Sequence, residues 1–353
     1  MAPAPWHAGE RALQSSVGLG KEKMDRIGRA VFRDFMTEQH RDFFAELPFV
    51  IVGSIDNRGS PSASLLAGPP GFIASPDPRR LDIAARPIPG DPLLDALKPG
   101  APIGLLGIEL WTRRRNRMNG RVIAADARGF SLAVDQSFGN CPQYIQRRDY
   151  LVRPERVVPR VEAFAGLDEG ARALIARADT FFVASAAPAG EAQASGGVDV
   201  SHRGGKPGFV HIESEGSLLV PDFSGNRFFN TLGNLMANPK AGLLFPDFET
   251  GDLLQIGGET EIILAGPLLE RFHGAERLWR LRPSGGRWLR GALPLRFVLR
   301  EISPQSLRTG SWQEAPPFPS LREGEDRPGR GGLPRIWPSD PLTLTPRSPA
   351  PHG

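Results

Sequence analysis

The fold is decided by residues 217–261, which read SLLVPDFSGNRFFNTLGNLMANPKAGLLFPDFETGDLLQIGGETE. The apolar runs LLV, AGLLF and LLQI predict three strands. The helical run FFNTLGNLMA ends at Asn238-Pro239, because proline cannot continue a helix. Between the first strand and the helix stands the turn DFSGNR, whose glycine, amide and arginine are typical of a phosphate site on free backbone N–H groups. The stretch therefore predicts a phosphorylated cofactor.

Composition limits the classes of protein and of site to consider. The chain has 353 residues, enough for two domains of ordinary size. Its net charge is only +4, and its basic residues are scattered among 39 acidic ones, which argues against a nucleic-acid surface. Cys141 is the single cysteine, which excludes an internal disulfide and any cluster or zinc site built on several cysteines.

Metal ligands and membrane segments are not predicted. The six histidines show no metal-ligand spacing, so we expect no metal site. The N-terminus lacks the basic and apolar regions of a secretory signal, and no apolar run approaches the ~20 residues of a membrane span. We therefore expect a cytoplasmic protein without membrane contact.

The two halves of the chain repeat the same plan. The run IGLLGIEL (103–110) aligns with AGLLFPDF (241–248), a shift of 138 residues (241 − 103). With that shift RMNGRV (117–122) falls on QIGGET (255–260). A slightly smaller shift relates LPFVIVGS near residue 47 to DTFFVASA near residue 179. Short strands separated by turn signals in each half predict a mainly β protein with flanking helices, built as two small β-barrels.

These patterns give a domain plan. We expect an N-terminal helical segment over 1–46, a first barrel over 47–160 and a second over 161–312. Within it, helices are predicted over Met24–Glu46 and Pro267–Arg280, and a last strand over 293–302. Residues 313–353 are rich in proline, serine, arginine and glycine, which predicts a disordered tail.

Six segments carry a resemblance to a known family. In the second half they are DVSHRGGKPGFV (199–210), residues 217–245 and LLQIGGETEI (253–262); in the first they are SLLAGPPGFIASPDPRRL (64–81), GLLGIELWTRRRNRMNGRV (104–122) and DQSFGNCPQYIQRR (135–148). The chain resembles the pyridoxamine 5′-phosphate oxidase-like, FMN-binding split-barrel family. The resemblance implies split barrels that dimerise, with FMN held between two of them. Here two tandem FMN-binding split β-barrels would form an intramolecular pseudo-dimer.

The resemblance also implies cofactor-binding residues. Those in the second half are Ser201, His202, Arg203, Lys206, Asp222, Asn226, Arg227 and Gln255; those in the first half are Arg115, Arg117, Gln136 and Ser137. Arg203, Lys206 and Arg227 would neutralise the phosphate, and the amides would read the flavin edge. Strand alternation puts Arg115 and Arg117 on one face and Arg114 on the other, although a charged edge strand would look the same.

Simpler interpretations stand beside these roles. A solvated hairpin turn would account for the polar residues around Arg203, and a helix cap for Asp222. His202 could donate a proton, but a histidine in a basic turn is typically exposed. Cys141 could be a redox thiol, but a lone cysteine is typically just buried. Gln255 could contact the cofactor or merely face solvent.

The function implied is an FMN-dependent oxidoreductase that moves hydride or electrons between the flavin and a small-molecule substrate, with an external electron donor. Asn226 stands where the oxidase proper commonly has arginine, which would weaken the hold on the phosphate and argues against oxidase activity. Vitamin B6 oxidation is less favoured because the Trp and Arg of the oxidase's substrate motif have no clear counterpart; Arg296 and Trp312 are the nearest candidates. A non-enzymatic flavin or haem binder, a deazaflavin protein and an interaction module with a degenerate pocket remain alternatives. Association of two chains into a homodimer is left open.

Overall fold

The computed structural model describes residues 4–153, 158–188 and 196–312. Its first sheet has seven strands: β1 (Phe49–Ile55), β2 (Pro61–Ala67), β3 (Ile73–Asp77), β4 (Arg80–Ile83), β5 (Pro102–Glu109), β6 (Arg114–Ala125) and β7 (Phe130–Gly139). Two further strands follow, β8 (Arg147–Val152) and β9 (Arg160–Phe164). The second sheet is formed by β10 (Thr180–Ala187), β11 (Gly197–Gly204), β12 (His211–Ile212), β13 (Leu218–Asp222), β14 (Lys240–Pro246), β15 (Leu253–Ile263) and β16 (Arg277–Arg290), and β9 pairs with β16. The mainly β prediction is confirmed.

Eight short helices flank the sheets. They are α1 (Ala8–Ser16), α2 (Lys21–Val31), α3 (Glu38–Ala45), α4 (Leu93–Ala96), α5 (Glu169–Arg177), α6 (Asn230–Ala237), α7 (Pro267–Glu270) and α8 (Pro304–Leu307), counted over the described residues. The last strand, β17 (Leu295–Glu301), pairs with β8 in a separate two-stranded ribbon. All of these elements belong to one compact unit.

The two sheets have the same strand order. The first runs β2-β1-β5-β6-β7-β4-β3 and the second runs β11-β10-β14-β15-β16-β13-β12. Their registers agree as well, because Leu106 lies opposite Arg117 and Leu244 lies opposite Gln255. Both pairs are related by 138 residues (244 − 106), so the shift predicted from the sequence is confirmed.

The central strands are apolar on both faces because each separates two cores. In β1, Val50 and Val52 enter the first sheet's own core, whereas Ile51 enters a third core between the sheets. In β10, Phe181 enters the second sheet's core and Phe182 the third one. Successive side chains of a strand point to opposite faces, which explains the continuous apolar runs of these two strands.

Each sheet also backs closely onto the backbone of the other. A Cβ on Gly104 would lie 2.5 Å from the Val198 carbonyl oxygen, and one on Gly242 would lie 2.4 Å from the Pro61 carbonyl oxygen. These two glycines are equivalent under the same 138-residue shift. The contact between the sheets is therefore made twice, with the roles of the two halves exchanged, and creates two equivalent seams.

Two predicted helices differ in the structure. The helix expected over Met24–Glu46 is divided into α2 and α3, because the Thr37 side chain accepts a hydrogen bond from the His40 N–H and caps a new helix. The helix expected over Pro267–Arg280 is wrong beyond α7. Residues Arg277–Arg290 form β16 instead, whose backbone pairs with β15, β13 and β9. This pairing between distant segments overrides the local helical pattern.

The strand predicted over 293–302 is confirmed as β17. The predicted tail, 313–353, lies outside the described residues. Among the residues that are described, no helix is long and apolar enough to cross a membrane.

Candidate functional site

A cleft opens at one of the two seams. Its walls come from β6 and the loop after β7 in the first half, and from β11, the turn after β13 and the start of α6 in the second. The non-atom space inside it, including solvent at its open mouth, is about 890 Å³. Eight predicted site residues line it: Arg115, Arg117, Ser201, His202, Arg203, Asp222, Asn226 and Arg227.

Strand alternation directs two arginines of β6 into the cleft. Arg115 and Arg117 both line it, whereas Arg114 lies 3.7 Å from Glu109 and over the ring of Phe43. Arg117 is buried, with 7% of its surface exposed, and its guanidinium donates to the Ser201 hydroxyl across the seam. The predicted orientation of these arginines is confirmed.

The turn between β13 and α6 forms the opposite wall. Arg227 and Phe229 adopt left-handed backbone conformations, with φ of 60° and 62°. The Asn226 side-chain oxygen accepts a hydrogen bond from the Phe228 N–H (3.1 Å). No side chain caps the N-terminus of α6, where Asn230 and Thr231 line the cleft. The uncapped N–H groups of that first turn give this wall a partial positive charge.

The arginines of the cleft are unequally paired. Asp222 binds both Arg203 (2.8 Å) and Arg277 (3.0 Å), and Asp199 lies 3.5 Å from Arg117. Arg115 has no carboxylate partner in the described part of the chain; its Nε donates to the Cys141 carbonyl (2.6 Å). Burial, and then the charge of Arg117, lowers the pKa of the Arg115 guanidinium to about 9. An anion bound here would remove that penalty.

His202 is buried, with 5% of its surface exposed, so the expectation of an exposed turn residue is wrong. Burial, followed by the charges of Arg115, Arg203 and Arg148, holds its pKa well below the usual value, and the ring is neutral at neutral pH. Its Nδ1 lies 3.4 Å from the Arg115 guanidinium, which can only donate. Its Nε2 therefore carries the hydrogen, and it has no partner among the described residues.

A buried polar network supports the cleft from below. Glu10 of α1 accepts a hydrogen bond from the Asn230 side chain (2.6 Å), and Asn230 in turn lies 3.4 Å from Arg117. Burial, and after it the charge of Asp199, raises the pKa of Glu10 to about 8. The N-terminal helix thus sets the position of a cleft arginine through one amide.

An aromatic pair at the cleft joins the two halves. Tyr144, with a left-handed φ of 64°, stacks on Phe223 with ring centroids 5.1 Å apart. Its hydroxyl donates to the Ser224 carbonyl (3.1 Å).

Sequence reasoning missed Glu10, Tyr144, Asn230, Thr231 and Arg277. Asn230 and Thr231 follow the predicted phosphate turn directly, which was a usable signal. Arg277 was missed because its segment was wrongly assigned to a helix. No sequence pattern around Glu10 indicates that it belongs to the site.

Four predicted residues lie outside the cleft. Lys206 donates to the Thr309 carbonyl (2.6 Å), and Ser137 bonds the ring of His40 (2.8 Å). Gln136 borders a separate small depression beside Asp135. Gln255 neither lines the cleft nor faces solvent, because it is buried and donates to the Ala63 carbonyl (2.9 Å). Cys141 is partly buried and lines the cleft.

Metal ligation has no support within the described ranges. No three histidine, cysteine, aspartate or glutamate side chains gather there in a way that could hold a metal ion. What the cleft offers is donors for an anion.

Comparison with solved structures gives partial overlaps. The haem storage protein HutZ from Vibrio cholerae is 17% identical, with 36% of this chain and 96% of that chain covered and a TM-score of 0.25. A putative pyridoxamine 5′-phosphate oxidase from Lactobacillus delbrueckii is 16% identical, with 30% and 95% covered and a TM-score of 0.25. MrkH from K. pneumonia, in complex with c-di-GMP, is 10% identical, with 76% and 85% covered and a TM-score of 0.19. At these TM-scores the overlaps carry no argument about function.

The comparison with protein families is more specific. No curated protein matches the chain. The family model described as pyridoxamine 5′-phosphate oxidase matches residues 167–291, which include every second-half residue placed in the cleft above. Over residues 167–291, the chain is a domain of the pyridoxamine 5′-phosphate oxidase-like family and has its split-barrel fold.

Proposed function

We propose that the cleft binds FMN and that the protein is an FMN-dependent oxidoreductase. The observation that carries this proposal is the guanidinium of Arg115, which lies in the cleft without a carboxylate partner among the described residues. Arg115 is half-buried, and a cation that is partly withdrawn from water is stabilised by an accompanying anion. A phosphate group has the charge and the acceptor geometry that an arginine fork favours.

The tandem architecture is part of the proposal. We propose that residues 47–160 form a first split barrel, residues 161–312 a second, and that the two make an intramolecular pseudo-dimer. The shared strand order and the exchanged contacts of Gly104 and Gly242 support this arrangement. A ligand between two barrels would then contact both halves of one chain, as the lining of the cleft does.

The phosphate would be held where the two walls meet. Arg115 and Arg203 would face it as cations, and the first turn of α6 would donate its uncapped N–H groups. Ser201 already binds Arg117 and Thr231, so its part is to hold Arg117 in position. Asn226 fixes the turn through the Phe228 N–H, which keeps this wall in shape without an additional charge.

Bound FMN would supply the redox chemistry, namely hydride or electron transfer with a small organic molecule. The residues of this chain would bind and orient it. The neutral His202 contributes a buried N–H at Nε2, unpaired among the described residues, to the lining of the cleft. The electron donor would come from another molecule.

The histidine of the cleft is not placed to ligate haem iron. Haem iron needs an axial ligand such as histidine. His202 is the one histidine among the described lining residues, and its Nδ1 faces Arg115 while its Nε2 is buried. Neither nitrogen therefore presents a free lone pair to a metal.

The absorption spectrum of the purified protein tests this function. We expect flavin bands, either as isolated or after addition of FMN, and their loss when a nicotinamide donor is added without oxygen. A protein that gains no flavin signal would contradict the binding proposal. Flavin bands that no donor reduces would leave a binding protein rather than an oxidoreductase.

A further inference from the structure

The second seam is built from residues equivalent to those of the cleft. Two residues are equivalent when they lie opposite equivalent partners in the two sheets. By this rule Arg115 corresponds to Leu253 and Arg117 to Gln255, since their partners Ile108 and Leu106 correspond to Pro246 and Leu244. We call the second seam, around Gln255, the closed seam.

The edge strands follow the same rule. Ile51 and Phe182 are equivalent because they lie opposite Leu106 and Leu244. On their other side they lie opposite Leu65 and His202. One residue earlier, Ser64 corresponds to Ser201. Each serine bonds the equivalent residue of the other half, Ser201 with Arg117 and Ser64 with Gln255 (3.3 Å). The two seams thus share one framework of contacts.

The side chains that would bind an anion differ. Where the cleft has Arg115, His202 and Arg203, the closed seam has Leu253, Leu65 and Leu66. Leu253 and Leu66 are buried, and Leu253 and Leu65 pack in the core between the sheets. The closed seam thus has apolar side chains at the three positions where the cleft has ionisable ones.

The closed seam also contains a buried carboxyl group of its own, whose pKa is raised by burial. The Asp91 carboxylate is 3% exposed and stands before α4, the helix equivalent in chain order to α6. One of its oxygens accepts from the Ser64 hydroxyl (2.5 Å) and the Leu93 N–H (2.9 Å), and the other accepts from Gln255 (3.3 Å). The serine and the helix start that would receive a phosphate in the cleft receive a carboxylate here.

We propose that the chain binds a single flavin, because the closed seam is sealed by the carboxylate of Asp91. This inference rests on the proposed FMN function. The duplicated fold has two equivalent places for a ligand. The cleft is the one that binds it, and the closed seam is filled by packing between the halves.

The number of flavins bound per chain tests the proposal on the intact protein. Flavin-free protein is saturated with FMN, separated from excess, and the ratio of flavin absorbance to protein concentration is measured. We expect one FMN per chain. A ratio of two would overturn the sealing while leaving the FMN function intact. A ratio of zero would overturn the FMN function and this inference with it.

The equivalent serines provide a matched pair of variants. Ser201→Ala removes a partner of Arg117, and we expect FMN to bind about 3- to 10-fold more weakly. Ser64→Ala makes the same change in the closed seam, and the affinity should stay within about twofold at one FMN per chain. Circular dichroism checks that both variants fold, and the stoichiometry of the unmodified protein remains decisive if either does not. Equal losses of affinity in the two variants would overturn the proposal.

Discussion

The cleft and the closed seam occupy equivalent places in the fold but differ in the side chains that line them. Both are crossed by a β-strand of one half that bonds a serine of the other, and both lie at the start of a helix. The cleft carries cations that lack enough carboxylates, whereas the closed seam carries a carboxylate with three donors. The backbone therefore does not determine where a ligand binds; a few side chains do.

Copying the closed seam into the cleft should produce the largest effect. Arg115→Leu gives the cleft the residue that Leu253 supplies in the closed seam. We expect FMN to bind about 100-fold more weakly, because charge-assisted hydrogen bonds to the phosphate are lost. The ligand-free protein should be about as stable as before, since Arg115 is half-buried and has no carboxylate partner among the described residues. Titration with FMN and urea unfolding measure the two quantities.

Arg114→Leu is the matched control, because Arg114 lies on the other face of the same strand. The affinity of the Arg114→Leu protein for FMN should equal that of the unmodified protein. An equal loss of affinity in both variants would mean that the charge of the strand, and not the position of Arg115, attracts the ligand.

The acid beneath the cleft should give a pH-dependent stability. The folded protein keeps the proton of Glu10 up to about pH 8, while the unfolded chain releases it near pH 4.5. The contribution of protonated Glu10 to the free energy of unfolding is complete below pH 4.5. It is lost as the pH rises towards 8, by up to about 1.4 kcal/mol per pH unit. Glu10→Gln should remove this slope. Urea unfolding across the pH range measures it.

Glu22→Gln, an exposed substitution on α2, serves as the control and should keep the slope of the unmodified protein. A slope that survives in Glu10→Gln would show that another group holds the proton.

The smallest effect is expected at the aromatic pair that joins the halves. Tyr144→Phe keeps the stacking on Phe223 and removes the hydrogen bond to the Ser224 carbonyl. The loss of about 0.5–1.5 kcal/mol should appear as FMN dissociation that is up to ~10-fold faster. Stopped-flow dilution of the loaded protein gives this rate. An unchanged rate would mean that the pair plays no part in retaining the ligand.

Local patterns predicted much of the fold and one wall of the site. The turn at Asp222–Arg227 could be recognised because its glycine, amide and following helix are adjacent in the chain. The repeat could be recognised because the strand motifs keep their spacing, and the structure reproduces that register. The alternation of side chains along a strand was also sufficient to place Arg115 and Arg117 on one face.

The rest depended on contacts between distant residues. Glu10 and Asn230 are 220 positions apart, and no local sequence pattern around either residue predicts their hydrogen bond. Gln255 looked like a cofactor ligand because it lies in a family motif, and only the pairing of the halves shows that it bonds Ser64 and Asp91 instead. The strand β16 was missed because its backbone pairs with strands that are far away in the sequence.

The central claim is that the cations of the cleft hold the phosphate of FMN. The most direct measurement compares the affinities of FMN and riboflavin, which differ only in that phosphate, for the unmodified protein and for Arg115→Leu. We predict that the unmodified protein binds FMN at least about 100-fold more tightly than riboflavin, and that this ratio falls sharply in the variant. Equal affinities for the two flavins in the unmodified protein, or a ratio that Arg115→Leu leaves unchanged, would contradict the account.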